Sequence, residues 1–178
     1  MRNNYCIILE TTTVVSPDDI QILEETKLPS GHSKISFKTR LQESDKRNAN
    51  NRSYNSSICE SIVSQLHPKA SSRNMLMEID HPLFFPGSTD PNTMKKRASM
   101  VEINNCGALC RNIIFKNNEI LGEVETLSAF KGPDLSNLVS KDKVNIGFSL
   151  RALGGVNKSS NGVMEVNTIY PINISRFM

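Results

Sequence analysis

Short apolar or alternating runs bounded by polar clusters recur along almost the whole of this chain, and they leave little room for helices. They fall at residues 5–10, 34–41, 74–79, 100–104, 108–115, 120–127, 144–150 and 163–174. Such runs read as strands, because successive side chains of a strand point to opposite faces and a half-buried strand therefore alternates. Two segments carry the helical period instead. From Ser56 to about Leu66, Ile58, Ile62, Val63 and Leu66 share one face behind the capping candidates Asn55 and Ser56, with Pro68 just past the end. From Pro133 to about Lys141, Leu135, Leu138 and Val139 do the same. A further short helix over 16–25, capped by Ser16, is compatible with the pattern. The expectation is an α+β fold, a mainly antiparallel β-barrel or sheet of about seven strands with two or more helices. Two stretches read as mobile connections: 42–54, rich in Asn, Arg, Lys and Ser, and 82–97, which holds a Pro-Gly pair and few strand formers.

Length and charge narrow the classes of function. A chain of 178 residues suits one domain over 1–178 with a real core. Its 21 basic and 18 acidic side chains leave a net charge of +3, too weak a field to imply specific nucleic-acid binding, and tryptophan for base stacking is absent. The basic cluster Lys95-Lys96-Arg97 reads as a solvated loop. Cys6, Cys59, Cys106 and Cys110 lack the paired spacing of structural zinc, so no metal or cofactor is expected and a reduced, cytosolic setting is the default. No apolar stretch approaches the roughly 20 residues of a membrane span, and no export signal is evident.

One segment presents a nucleophile. In Asn145-Ile-Gly-Phe-Ser-Leu-Arg-Ala-Leu-Gly-Gly155, Ser149 stands between apolar residues on a strand, Arg151 follows on the same face, and Gly154-Gly155 permits close chain approach. A serine needs a base to take its proton. Of three histidines, His32 lies in a Pro-Ser-Gly turn and His67 at a helix end, whereas His81 ends a strand in Met77-Glu-Ile-Asp-His-Pro82 and is fixed by Pro82. The pair Ser149 and His81 indicates a serine hydrolase.

Three ordered motifs carry a resemblance. Asn48-Ala-Asn-Asn-Arg-Ser-Tyr54 is similar to an Asn-x-Asn-x-Arg-x-Tyr element followed by a helix; Glu78-Ile-Asp-His-Pro82 is similar to Glu-Leu-x-His-Pro; Gly147-Phe-Ser-Leu-Arg-Ala-Leu-Gly154 is similar to Gly-x-Ser-x-Arg-x-Leu-Gly. In this order the chain resembles the prohead core proteases of T-even-like tailed phages, which are related to the herpesvirus assemblin-type serine proteases. The resemblance spans roughly 41–166, includes two strands and a Gly-Pro-led helix between the second and third motifs, and covers the first forty residues poorly.

The resemblance implies an assemblin-like fold and a serine endopeptidase that cleaves scaffold, core and major capsid proteins inside the assembling prohead, in the host cytoplasm. It makes Ser149 the nucleophile, His81 the general base, and Arg151 a contributor to oxyanion binding through its backbone N–H or a bound water. Phage relatives add an acidic residue from a strand after the nucleophile, but 166–178 holds no carboxylate. Asn173 and Glu165 are the candidates for this third member; Asp80 and Glu78 lie near His81 in sequence, with Asp80 on the wrong face. Cleavage after Glu with Leu or Ile two positions before is expected, and the chain itself carries such tripeptides ending at Glu10, Glu24, Glu43 and Glu123. Self-cleavage follows as an expectation, at Glu24 and Glu43 ahead of Glu123. Self-association is left open. The alternative is a catalytically degenerate relative kept as a structural head component, which would have no physical need of both His81 and Ser149.

Overall fold

A computed structural model describes residues 6–9, 14–79 and 90–177. Among them are ten strands and three α-helices. The strands are β1 (Cys6–Leu9), β2 (Val14–Val15), β3 (Gln21–Lys27), β4 (Ser33–Glu43), β5 (Arg52–Ser53), β6 (Leu76–Glu78), β7 (Cys106–Lys116), β8 (Glu119–Thr126), β9 (Ile146–Lys158) and β10 (Met164–Phe177); the helices are α1 (Ser56–Ser71), α2 (Pro91–Ser99) and α3 (Gly132–Ser140). The mainly antiparallel α+β architecture expected from the strand pattern is present. It divides into two five-stranded sheets, β1-β9-β10-β5 with β2 also on β9, and β3-β4-β8-β7-β6, rather than closing into one barrel. The strand number exceeds the seven expected by β2, β3 and β5: β2 and β5 are only two residues long, too short for a periodicity to register, and β3 falls in a segment that reads as a helix.

One apolar cluster joins the two sheets to α1 and α3. Helix α1 buries Ile58, Cys59, Ile62, Leu66 and Ala70, mostly at i, i+4 spacing, and packs on β7 of one sheet and β10 of the other. Each fully buried Ile or Leu contributes about 1.5–3 kcal/mol over an exposed one. Asn55 caps the helix as expected, its Oδ1 accepting from the Ile58 N–H at 2.9 Å. The helix does not stop before Pro68 but runs through it to Ser71. Proline removes a single backbone donor, and the burial of Leu66 and Ala70 on either side outweighs that loss. Helix α3 starts at Gly132, where a Cβ would stand 1.9 Å from the Leu127 carbonyl oxygen, so the close approach of chain to chain there admits only glycine.

Three local expectations are corrected. The supposed loop 82–97 contains α2: Asp90 accepts from the Asn92 and Thr93 N–H groups at 3.2 and 3.0 Å, and Pro91 supplies the preset φ of a first helical residue. The run 100–104 is no strand; it enters a 3₁₀ turn at Ile103–Asn105. The helix foreseen over 16–25 shrinks to a 3₁₀ turn, Pro17–Asp19, followed by β3, whose residues are all exposed. The other stretch read as mobile, 42–54, is ordered. Asn48 Oδ1 accepts from the backbone N–H of Asn50 and Arg52, both at 3.0 Å, Asn51 takes a left-handed φ of 59°, and its carbonyl accepts from the Met164 N–H at 2.9 Å. The motif at 48–54 thereby docks β5 parallel to the start of β10.

Glu125 on β8 is surrounded by Arg73, Lys34 and Arg111 at 2.8, 2.7 and 3.3 Å. The hydrogen bond from Arg73, against the opposing effect of burial and with added help from Lys34, lowers its pKa from 4.5 to about 2. A carboxylate whose pKa falls on folding stabilises fully above its unfolded value and loses that contribution as pH drops through the folded one. Wild type is therefore expected to lose, between pH 4.5 and 2, about 1–2 kcal/mol that Glu125→Gln never had, screening by the half-exposed cations keeping the figure small. Denaturant titrations of both chains across that range check it; parallel pH profiles would contradict it.

Candidate active site

The segment 145–155 forms most of β9, and β9 extends past the glycine pair to Lys158 instead of ending there. It lies between β10 on one edge and β1 and β2 on the other. Gly154 and Gly155 do permit close approach, since a Cβ at Gly154 would meet the Thr168 carbonyl oxygen at 2.4 Å. Ser149 and Arg151 are both wholly buried, on the same face of the strand. In the ladder Ser149 stands opposite Ser175, and Arg151 stands opposite Asn173 on β10 and Leu9 on β1. β2 resumes opposite Gly147. The N-terminal strands thus flank the Ser149 position on both sides, an arrangement no periodicity in four- and two-residue strands could announce.

The guanidinium of Arg151 is tied down. Its Nη2 donates to Glu78 Oε2, and its Nη1 donates to the Met100 carbonyl at 3.1 Å. Burial pulls its pKa below the ordinary arginine value, opposed by the adjacent Glu78 carboxylate. Glu78, 1% exposed at the end of β6, also accepts from Arg97 Nη2 at 3.2 Å and from the Glu102 backbone N–H at 2.9 Å. Arg97 bonds the Met100 carbonyl as well, at 3.2 Å, and pairs with Glu102 at 3.0 Å. The cluster at 95–97 is therefore not simply a solvated loop, since Arg97 turns inward with its side chain 18% exposed. Helix α2 places it there, and the signal for that helix was the Asp90-Pro91 start.

His81 and Asp80 lie outside the described residues, three and two positions beyond Glu78. Of the other histidines, His32 is exposed in the turn read from sequence, whereas His67 is not at a helix end but inside α1, its Nδ1 3.1 Å from the Ile113 carbonyl and its Nε2 3.2 Å from Ser71 Oγ. Glu165 stands opposite Asn157, eight positions along β9 from Ser149, or about 26 Å of extended strand. The ladder does not bring its carboxylate to the serine. Asn173 is two positions from the partner of Ser149 on β10. The carboxylate of Glu78 is occupied by Arg151, Arg97 and the Glu102 N–H.

The cysteines are free. Burial pushes the thiols of Cys59 and Cys110 up to about 12 and that of Cys106 up to about 11, so these three stay protonated at neutral pH and are poor nucleophiles. Among the described residues no group of three or more His, Cys, Asp or Glu could hold a metal ion, and no helix is long and apolar enough to cross a membrane.

A groove beside β6 is lined by Lys69, Asn74, Met75, Leu76, Ser99, Val101 and Ile172. Ile172 sits at the bulge of β10 next to Asn173, so the groove borders the region of Arg151.

Comparison with known proteins places this geometry. The chain superposes on the structure of the bacteriophage T4 capsid assembly protease, gp21, with a TM-score of 0.74 over 99% of both chains, at 17% identity. No curated protein matches. The sequence pattern of the Peptidase S80 family matches residues 41–171. That span contains all three ordered motifs and both strands of the Glu78–Arg151 contact, and the chain belongs to the Peptidase S80 family.

Proposed function

We propose that this chain is a serine endopeptidase of phage prohead maturation, with Ser149 as nucleophile and His81 as general base. The observation that carries the reading is the contact between Glu78 and Arg151. It joins Glu78, the first residue of the 78–82 motif, to Arg151 of the 147–154 motif, though 73 residues separate the two. In the reaction His81 takes the Ser149 proton as Oγ attacks the scissile carbonyl, then returns it to the leaving amine. The oxyanion is stabilised by backbone N–H groups near Arg151, whose guanidinium is already engaged. Asn173 is the preferred orienting residue on register, standing nearer to Ser149 along the ladder than Glu165 does. One domain over 1–178 carries the whole site.

The substrates are scaffold, core and major capsid proteins of the assembling head, in keeping with the likeness to the T4 capsid assembly protease. Cleavage falls after Glu with Leu or Ile two positions before. The groove beside β6 suits such a segment, offering Met75, Leu76, Val101 and Ile172 to an apolar side chain and the Lys69 amine to a carboxylate. Co-expression with a head scaffold or capsid protein, followed by mass spectrometry of the new termini, tests this. Fragments ending in Glu of that pattern are expected; intact partners, or cuts at unrelated residues, would refute the assignment and favour the degenerate head component.

Self-cleavage is expected at Glu24 rather than Glu43 or Glu123. Glu24 lies in the exposed edge strand β3, beside a bulge, and can peel from the sheet. Glu43 is held by Arg40 and Lys46 at 3.3 and 2.6 Å, and Glu123 sits in β8 between β4 and β7. Glu10 is outside the described residues. Prolonged incubation of the concentrated chain should release a piece ending at Glu24, absent from Glu24→Gln; first appearance of a cut at Glu123 would contradict the ranking.

A further inference from the structure

We infer that Glu78 and Arg151 are a positioning pair, whose buried ion pair holds the end of β6, the strand from which the sequence runs on to His81, in place against the stretch of β9 that carries Ser149. The inference rests on the Ser149 and His81 reading above.

Stability alone gives no reason for the pair. Its side chains are 0% and 1% exposed, and withdrawing two charges from water costs several kcal/mol per ion before their attraction returns anything, so an apolar pair of similar volume would serve the core as well. What an apolar pair cannot supply is direction. Arg151 donates from two nitrogens to two different acceptors, Glu78 Oε2 and the Met100 carbonyl, and a planar guanidinium fixes the angle between them. Glu78 in turn uses both oxygens, one toward Arg151 and the other toward Arg97 and the Glu102 N–H. β9, the end of β6, the last turn of α2 and the segment at 100–102 are thereby locked at fixed distances.

The place that needs locking is β6. It is three residues long and lies at the edge of its sheet, with β7 as its one strand partner and a register shift between Met77 and Glu78. Backbone pairing over so short a ladder holds the strand end weakly. His81 follows Glu78 by three residues, and Arg151 follows Ser149 by two. The ion pair thus links the two sheets at positions within three residues, along the chain, of both members of the dyad. A misplacement of about 1 Å between reacting groups costs on the order of 10²-fold in rate.

The test uses the full chain and a peptide spanning a cut mapped in the co-expression experiment. Arg151→Lys keeps the charge but loses the fork; the double variant Glu78→Leu/Arg151→Met removes both charges, so no lone buried ion remains to unfold it. Both are expected to lower kcat about 10²-fold with KM within about twofold of wild type. Because the residues act as one unit, the double variant is expected to be no slower than the worse single one. Thermal melting identifies folded variants, and if Arg151→Lys unfolds, the double variant decides. A folded double variant with wild-type kcat, or a loss confined to KM, overturns the inference while leaving the dyad standing. Cleavage of the same peptide by Ser149→Ala would instead remove the dyad reading itself.

Discussion

Ser149→Ala is expected to lower cleavage of a head-protein substrate by about 10⁶-fold, the scale on which removal of a catalytic serine acts. The change exchanges a hydroxyl for a hydrogen in a fully buried strand position, so the core keeps its packing and stability should fall by no more than about 1–3 kcal/mol. Loss of activity with circular dichroism and melting retained then isolates chemistry from folding. His81→Ala should be about as damaging, and the double variant no worse than either single one, because nucleophile and base form a unit whose first deletion removes nearly all it provides. Additive losses, or a Ser149→Ala chain that still cuts, would show that the proton path does not run through these two residues.

Glu78→Ala is expected to destabilise the chain by about 3–5 kcal/mol, because it leaves the wholly buried Arg151 guanidinium with only the Met100 carbonyl as partner. Arg151→Ala should cost less. In that variant Glu78 still accepts from Arg97 and from the Glu102 N–H, so its charge is not abandoned. Denaturant midpoints at neutral pH measure the order of the two. For contrast, Glu43→Ala breaks pairs with Arg40 and with Lys46, a side chain 68% exposed, and should stay within about 1 kcal/mol. Equal midpoints for wild type and Glu78→Ala would mean that the buried pair contributes no net stabilisation. The two predicted results separate cleanly: Ser149→Ala should be folded and dead, Glu78→Ala unfolded or nearly so.

The elements that sequence reading located best have a periodicity long enough to repeat. The 11-residue β4 and β7 and the one-sided helix α1 announced themselves within a residue or two at one end or both. The two-residue β2 and β5 carry too few positions for any period, whereas the short β1 and β6 lie inside the longer apolar runs at 5–10 and 74–79. Helix α2 was lost for another reason: its nine residues, Pro91-Asn-Thr-Met-Lys-Lys-Arg-Ala-Ser99, lack an apolar stripe, so only the Asp90-Pro91 cap betrayed it.

By itself the sequence determined the chemistry on offer: one serine on an apolar strand, one histidine in a Glu-Ile-Asp-His-Pro motif, an arginine two places after the serine, and motifs in an order that identifies a peptidase family. Such features are local, and local spacing is what a sequence records. Only the tertiary structure decided which of them meet. It made the Arg151 side chain the partner of Glu78, brought Arg97 in from a supposed loop, and set Glu165 at the far end of the ladder from Ser149. The physical reason is that a buried charge must find its counter-charge wherever the fold puts one, and the partner of Arg151 comes from a different sheet, 73 residues away along the chain.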